Sequence, residues 1–477
     1  MHNLYINQIK ECGAKRPRRF GLVALRTSCF ALCALLTACG LYQKYETPTA
    51  EPIINDYAAA LQAPVDSTAL GNLPWQQVFT DPLLQSYIQR ALDSNKDLQN
   101  AKLNIDIARA QLQGAKLSFL PSVSFSPNFA GSKISGIDGM DWGWQLPVTV
   151  SWQVDIFGQL TNNKRSAESS VIQSEAYAQA VQSQIIAGVA TTYYTLVSLR
   201  NQLNIYNENL QLWQQSVQMM RDMKVAGRYT EVAVVQAQAN YHSVRAAIPD
   251  INRSITQAEN TMSLLLGTEP RQWGVTLGGA LSLPADLQDG VPMNYLAARP
   301  DVRAAEQDFA KAFYATNVAR ANFYPQLNIT ATGAYGTLVG GTVFDPAKWL
   351  LNLAGSLTAP IFNRGRNIAT LKAAKATQQQ ALNNFSYSIL DARAEVSDAL
   401  AAISSYSSKL ADVQAQRDCM ALAVDYNRDL MNLANATYLE VITAQQQLLQ
   451  AQIQLELVKM NINTSVINLY QALGGGR

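Results

Sequence analysis

The chain repeats its own layout about 205 residues further on, and that duplication limits its fold more than any single motif does. Residues 98–267 and 302–474 each open with an alanine-rich segment ending in a hydrophobic-Pro pair, Leu120-Pro121 and Tyr324-Pro325. Two alternating segments follow and close on Ile156-Phe157-Gly158 and Ile361-Phe362-Asn363. A long helical stretch comes next, and both copies end on Leu-Gly, at Leu266-Gly267 and Leu473-Gly474. The offset between matched positions drifts only from 204 to 207, so insertions are confined to a few loops. Spacing this constant indicates one structural unit used twice.

The alternating segments predict strands over about 117–129, 142–156, 325–335 and 349–362. Over 142–156, Trp142, Trp144, Leu146, Val148, Val150, Trp152, Val154 and Ile156 share one face, against Gly143, Gln145, Thr149, Ser151, Gln153 and Asp155. The other segments repeat the contrast: Val123, Phe125 and Phe129 against serines and Asn128, and Leu327, Ile329, Ala331 and Tyr335 against Gln326, Asn328, Thr330 and Thr332. In the last, Trp349, Leu351, Leu353, Leu357 and Ile361 oppose Asn352, Ser356 and Thr358. One face is large and apolar, the other small, polar and almost uncharged. A soluble hairpin with one face on a core is the plain alternative, but this contrast suits lipid outside and water inside. A strand of about 13 residues, tilted by about 40°, covers an apolar band of about 25 Å. Four strands cannot close a barrel, and open edges are not tolerated in lipid, so the chain must assemble with copies of itself.

The helical stretches are too long for a globule. From Arg366 to Leu473 there is no Gly or Pro; as one helix this would reach roughly 160 Å, so a fold-back is expected. The first copy, 159–266, is interrupted only by Gly188, Gly227 and Pro249. Matching the copies places the fold-backs at Ala226-Gly227-Arg228-Tyr229-Thr230 and Leu433-Ala434-Asn435-Ala436-Thr437. Gly227 fits a left-handed turn position, and Thr230 and Thr437 fit N-caps of the returning helices.

The first 38 residues read as a signal peptide. A basic region precedes the short apolar run Thr27 to Ala38, which ends in Leu36-Thr37-Ala38-Cys39-Gly40. That ending looks like a bacterial lipobox, with Cys39 as acceptor of diacylglycerol and an N-acyl chain; an ordinary signal peptide with a chance cysteine is the alternative. Without the leader, 31 basic and 34 acidic residues remain, a formal charge of −3 that disfavours a nucleic-acid partner. Cys419 is then the one unmodified cysteine and His242 the one histidine, which excludes an intrachain disulfide and argues against a histidine triad or metal site. No P-loop or catalytic cluster is recognisable, so an enzyme is not expected, and no metal or further cofactor is predicted. The resulting division is a leader (1–38), a lipidated N-terminal segment with a first helix (39–97), repeat one (98–267), a linker (268–301) and repeat two (302–474).

Four short markers complete the reading. They are Trp75 with Phe79-Thr80-Asp81-Pro82-Leu83; Arg299-Pro300-Asp301-Val302-Arg303-Ala304-Ala305-Glu306; Tyr438-Leu439-Glu440-Val441 with Ala444-Gln445; and Leu469-Tyr470-Gln471-Ala472-Leu473-Gly474-Gly475-Gly476. On the duplicated frame, these make the chain resemble the TolC-like outer-membrane factor family, in its lipoprotein branch serving RND-type multidrug efflux. The resemblance implies a mixed α+β membrane protein: a homotrimer whose 12-stranded β-barrel continues into a periplasmic α-helical coiled-coil barrel. It implies a passive exit duct that is lipid-anchored in the outer membrane and works with a periplasmic membrane-fusion adaptor and an inner-membrane pump. An aperture carried over from the family falls on Leu439, Glu440 and Thr443, although Thr443 stands where the family often has aspartate. The same resemblance assigns adaptor docking to the tips, at Gly227, Arg228, Thr230, Ala434, Asn435 and Thr437. Each assignment has a plain structural reading: Glu440 as a solvated helix residue, the tips as connectors, and Asp81-Pro82 and Arg299-Pro300-Asp301 as helix starts. Type I protein secretion or metal-ion efflux is the alternative cargo, with Met219-Met220-Met223 read as packing; a structural envelope lipoprotein is the alternative class.

Overall fold

The computed structural model describes residues 45–48, 52–61, 70–132, 141–278, 281, 299–337, 349–432 and 437–476. Cys39, Ala434 and Asn435 lie outside the described residues, as do most positions of the two inter-strand loops. Two compact units emerge: one from the described parts of 121–162 and 317–367, the other from those of 46–120, 163–316 and 368–477.

The first unit is an antiparallel sheet. Its strands are β1 (Ser122–Phe125), β2 (Asn128–Ser132), β3 (Asp141–Val154), β4 (Gln326–Thr337) and β5 (Trp349–Thr358). β1 and β2 both pair with β3, which pairs with β4, and β4 with β5. The register runs unbroken from Phe125↔Val148 to Asn128↔Gln145, so β1 and β2 act as one strand. Its ladder is interrupted where Pro127 and Pro147 lack N–H groups, leaving the bond from Ser126 to the Pro147 carbonyl at 3.3 Å.

Three strand ends differ from expectation. The first strand begins at Ser122, not near 117, because a preceding helix runs to Leu117 and turns through Ser118 and Leu120. β3 stops at Val154, and Asp155 leaves the sheet to accept the amides of Leu160 and Thr161 at 3.0 and 2.8 Å, starting the next helix. β5 stops at Thr358, just before Pro360, so Ile361 lies beyond it and is 98% exposed.

The second unit is helical. Short α1 (Pro52–Leu61) and α2 (Trp75–Val78) precede α3 (Pro82–Ser94) and α4 (Lys96–Leu117). The long elements are α5 (Gln159–Val225), whose first turn belongs to the sheet unit, and α6 (Glu231–Leu265), α7 (Pro300–Ala321), α8 (Arg366–Asn432) and α9 (Tyr438–Ala472). At 67 residues each, α5 and α8 are about 100 Å long. α5 passes through Gly188 and α6 through Pro249 without ending; only Gly227 marks a break. Both repeats close on the same C-cap. Gly267 and Gly474 adopt φ of 63° and 77°, their amides reach back to Leu264 and Gln471, and the next amides reach Ser263 and Tyr470.

The main core joins α1, α2 and α3 to the middle of α5, α8 and the end of α9. Tyr57 meets Phe385 edge-on at 5.3 Å, Phe79 meets Tyr470 at 5.7 Å, and the Tyr470 hydroxyl donates to the Leu73 carbonyl at 3.0 Å. Trp75 is buried here as a packing anchor. A second cluster near the fold-backs gathers Trp213, Met220, Val234, Met431, Tyr438 and Val441. Met219 and Met223 pack against it, so the methionine group is core.

Candidate functional site

The sheet carries its two chemistries on opposite faces, and the register aligns them across every strand. Val123 lies opposite Val150, which lies opposite Ala331 and then Leu353; Phe125, Val148, Gly333 and Leu351 form the next row. On the other face the rows are Ser124, Thr149, Thr332 and Asn352, and Ser122, Ser151, Thr330 and Ala354. Thr149 and Thr332 hydroxyls share a hydrogen bond of 3.3 Å across strands. The apolar rows stand open: Phe125 is 61% and Leu351 83% exposed. Among the described residues, no strand pairs with the outer edge of β5 or of β1 and β2. An uncovered apolar band with two free edges is unstable as a lone object in water.

The fold-back of the first hairpin is fully described. Gly227 takes φ of 72°, its amide reaches Lys224, and the Arg228 amide reaches the Met223 carbonyl at 2.9 Å. Thr230 occupies the N-cap of α6 in extended conformation, but its hydroxyl makes no capping bond. Lys224 and Glu231 pair across the turn, whereas Arg228 is exposed and has no ion pair among the described residues.

The second hairpin places the proposed aperture residues on one face of α9. Leu439, Glu440 and Thr443 are exposed, while Tyr438, Val441, Ile442 and Gln445 are buried. Glu440 has a local partner: its carboxylate accepts the amide of the N-cap residue Thr437 at 2.8 Å. The carboxylate is therefore tied to the first turn of α9 rather than freely solvated. Thr443 donates to the Leu439 carbonyl at 2.8 Å, so its hydroxyl is spent on its own helix. Beside them the Tyr438 ring meets Tyr229 edge-on at 6.2 Å, and burial pushes its hydroxyl up to about 12.

The remaining markers are structural junctions. Asp81 caps α3 by accepting from Leu83 at 2.8 Å, and it accepts the Tyr193 hydroxyl at 2.6 Å. Tyr193 in turn accepts the Thr276 amide at 2.9 Å, so one carboxylate ties α3, α5 and the linker together. Burial alone would raise the Asp81 pKa, yet the bonds from Tyr193, Leu83 and Leu84 outweigh it and hold the carboxyl below its ordinary value. Tyr193 is pushed up to about 12 by burial and by Asp81.

Arg299 is buried, with only 7% of its side chain exposed, and donates to Asp301 at 2.6 Å, Glu395 at 2.7 Å and the Ala472 carbonyl at 2.9 Å. Burial disfavours its charge, but Asp301 and Glu395 keep the guanidinium protonated. At the matched position of the first copy stands Asn95, which donates to the Leu265 carbonyl at 2.9 Å. Leu265 and Ala472 are themselves matched, so each repeat closes its last helix with one side chain, neutral in the first and charged in the second. Aligning Asn95-Lys96-Asp97 with Arg299-Pro300-Asp301 at the 204 offset would have revealed this pair from sequence.

His242 is an exposed helix residue edge-on to Tyr241 at 5.3 Å, and Cys419 is exposed. Among the described residues, no three His, Cys, Asp or Glu side chains cluster as metal ligands, and no helix is long and apolar enough to cross a membrane.

Comparison with known proteins agrees with this arrangement. The family model described as outer membrane efflux protein matches residues 87–268 and 291–475. The chain is 29% identical over 406 residues to the probable outer membrane lipoprotein SilC of Salmonella typhimurium, covering 84% of this chain and 88% of SilC. It is 29% identical over 459 residues to the toluene efflux pump outer membrane protein TtgC of Pseudomonas putida, covering 93% of each. The cation efflux system protein CusC of Escherichia coli K12 is 28% identical over 455 residues, covering 94% of this chain and 98% of CusC. A crystal structure of CusC is similar with a TM-score of 0.81 and 27% identity, covering 92% of this chain and all of that one.

Proposed function

Since the chain belongs to the outer membrane efflux protein family and is an outer-membrane efflux duct, we propose that three copies join their four-stranded sheets into one 12-stranded barrel, continued by a periplasmic tunnel of helices. The observation that carries this is the two-faced sheet with unpaired edges. Three sheets closing edge to edge remove every free edge, turn the apolar rows to lipid and enclose the hydroxyl and amide rows around water. The duct performs no chemistry: cargo passes down its gradient after an inner-membrane pump and a periplasmic adaptor have loaded it.

Cys39 is the proposed lipid anchor, and the turns at Gly227, Arg228, Thr230, Ala434, Asn435 and Thr437 the proposed docking end for the adaptor. At the periplasmic end, Leu439 and Glu440 narrow the opening, with three Glu440 carboxylates near one axis favouring cations. Drugs and other small organic molecules are the proposed cargo. Metal-ion export is the second reading, favoured by the likeness to CusC, a cation efflux system protein, at nearly the same identity as to TtgC, a toluene efflux pump protein.

The deciding experiment measures growth of a deletion strain and its complemented parent against antibiotics, toluene, and silver and copper salts. Sensitisation to organic compounds alone supports drug efflux. Sensitisation to the metals alone replaces that cargo with cations. Purified protein that runs as a monomer and passes no current in planar bilayers refutes the duct.

A further inference from the structure

The two strand-to-helix connections are built differently. Four residues, 155–158, join β3 to α5, and they are closed on their surroundings: Asp155 caps the helix, and Phe157 stacks on Tyr324 with ring centroids 5.0 Å apart. Seven residues, 359–365, join β5 to α8, and they stand open. Ile361 is 98% and Phe362 85% exposed, with Arg364 and Arg366 exposed beside them. The segment prolongs the exposed apolar row of Leu351, Leu353 and Leu357 on β5.

Charge at this end of the sheet is one-sided. Among the described residues of the sheet unit the basic side chains are Arg320, Arg364 and Arg366, and none of them has an ion pair. The described acids of that unit are Asp141, which starts β3 at the opposite end, and Asp155, whose two carboxylate oxygens accept from Leu160 and Thr161. Arg364 also holds a backbone conformation that disfavours a side chain, with φ of 57° ahead of Gly365 at 76°. Glycine would occupy that position more easily, so the cation stands there at a conformational cost.

We propose that residues 359–366 bind the phosphodiester headgroup of an anionic phospholipid in the periplasmic leaflet of the outer membrane. The inference rests on the barrel reading above and adds a lipid that the rim of the barrel selects. A phospholipid presents acyl chain and then phosphate, in the order in which the chain presents Leu357, Ile361 and Phe362 and then Arg364 and Arg366. Each guanidinium is a planar fork that bonds two phosphate oxygens at once. A zwitterionic headgroup brings its own ammonium to the phosphate, so two unpaired arginines favour a lipid of net negative charge. An acidic protein surface would answer the arginines and leave the apolar step of Ile361 and Phe362 unmatched.

The test uses the full-length protein purified in detergent and equilibrated with mixed micelles of phosphatidylglycerol or phosphatidylcholine, the retained lipid being counted by native mass spectrometry. Phosphatidylglycerol is expected to stay bound in preference. Arg364→Gln and Arg366→Gln should each weaken its retention about five-fold and leave phosphatidylcholine unaffected, while Lys409→Gln, an exposed cation far along α8, should change neither. Arg364→Gly should weaken retention equally yet hold or raise Tm in lipid-free detergent, which separates loss of lipid from loss of fold. Equal retention of the two lipids, or phosphatidylglycerol binding indifferent to both arginine substitutions, overturns the site and leaves the barrel standing. Soluble glycerol phosphate that displaces phosphatidylglycerol as well as added lipid does assigns the arginines to free phosphate and also overturns it. In cells, a benzophenone amino acid in place of Phe362 should take up the mass of a lipid on illumination; a link to a second copy of the chain means that protein covers the segment, and the proposal fails. Protein that runs as a monomer and passes no current removes the barrel reading and the site together.

Discussion

Replacing Arg299 by alanine removes three contacts of unequal worth. The Asp301 and Glu395 side chains are 48% and 50% exposed, so water takes over their solvation, and each lost pair costs at most about 1 kcal/mol. The Ala472 carbonyl is different. It sits in a buried residue at the end of α9, and losing its donor costs about 1–3 kcal/mol. The total is about 2–4 kcal/mol, concentrated where α9 meets α8 and the start of α7. Amide hydrogen exchange on purified protein reads this locally: amides of 466–472 should exchange at least about 30-fold faster, as about 2 kcal/mol of cheaper opening requires. Arg299→Asn, which copies the first repeat's solution at Asn95, should recover much of the carbonyl's share and lie between wild type and alanine. Exchange of 466–472 in Arg299→Ala within two-fold of wild type would refute the assignment of Arg299 as the closing side chain of the second repeat.

Three further outcomes are expected. Glu440→Gln keeps an oxygen for the Thr437 amide, so in planar bilayers it should lower cation preference without loss of thermal stability, whereas Glu440→Ala should also cost about 0.5–2 kcal/mol through the lost cap; unchanged selectivity in both variants counts against the aperture. Asp81→Ala should destabilise by about 1–3 kcal/mol at neutral pH. Because the folded carboxyl titrates below its ordinary value, its contribution is full above about pH 4 and is lost as pH falls through the folded value, so the gap in Tm between wild type and variant should close on acidification; a gap constant with pH excludes the Tyr193 bond as its source. Arg228→Glu should impair crosslinking to the adaptor while leaving trimer formation intact, since Arg228 is exposed on the turn and carries no ion pair among the described residues; normal crosslinking removes it from the docking surface.

Much of this architecture was readable from spacing. The 207 offset located the fold-back at Gly227, and the helices resume at Glu231 and Tyr438 behind Thr230 and Thr437. Alternation assigned the residues of β3 to their faces, Asp141 and Pro147 aside, because a strand period of two leaves no freedom once one face is apolar. Strand ends were less legible, since they are decided by proline spacing and by Asp155 preferring two helix amides to a place in the sheet. Long-range polar junctions escaped for a different reason. Nothing near Asp81 in sequence points to Tyr193, 112 residues away, and the partnership exists only because α3 packs on α5. Glu440 was assigned to a pore on resemblance; its local bond to the Thr437 amide follows from the spacing Thr437-Leu439-Glu440 alone, the familiar start of a helix.

The hydroxyl and amide rows of the sheet set how the duct can evolve. In the proposed barrel, these rows of Ser, Thr, Asn and Gln without fixed charge present every solute with the same weak, exchangeable contacts that water offers. Substitutions within those rows that stay neutral should pass selection almost silently, whatever compound is applied. Mutations that change what leaves the cell will instead arise where the wall acquires a charge, or outside this polypeptide altogether.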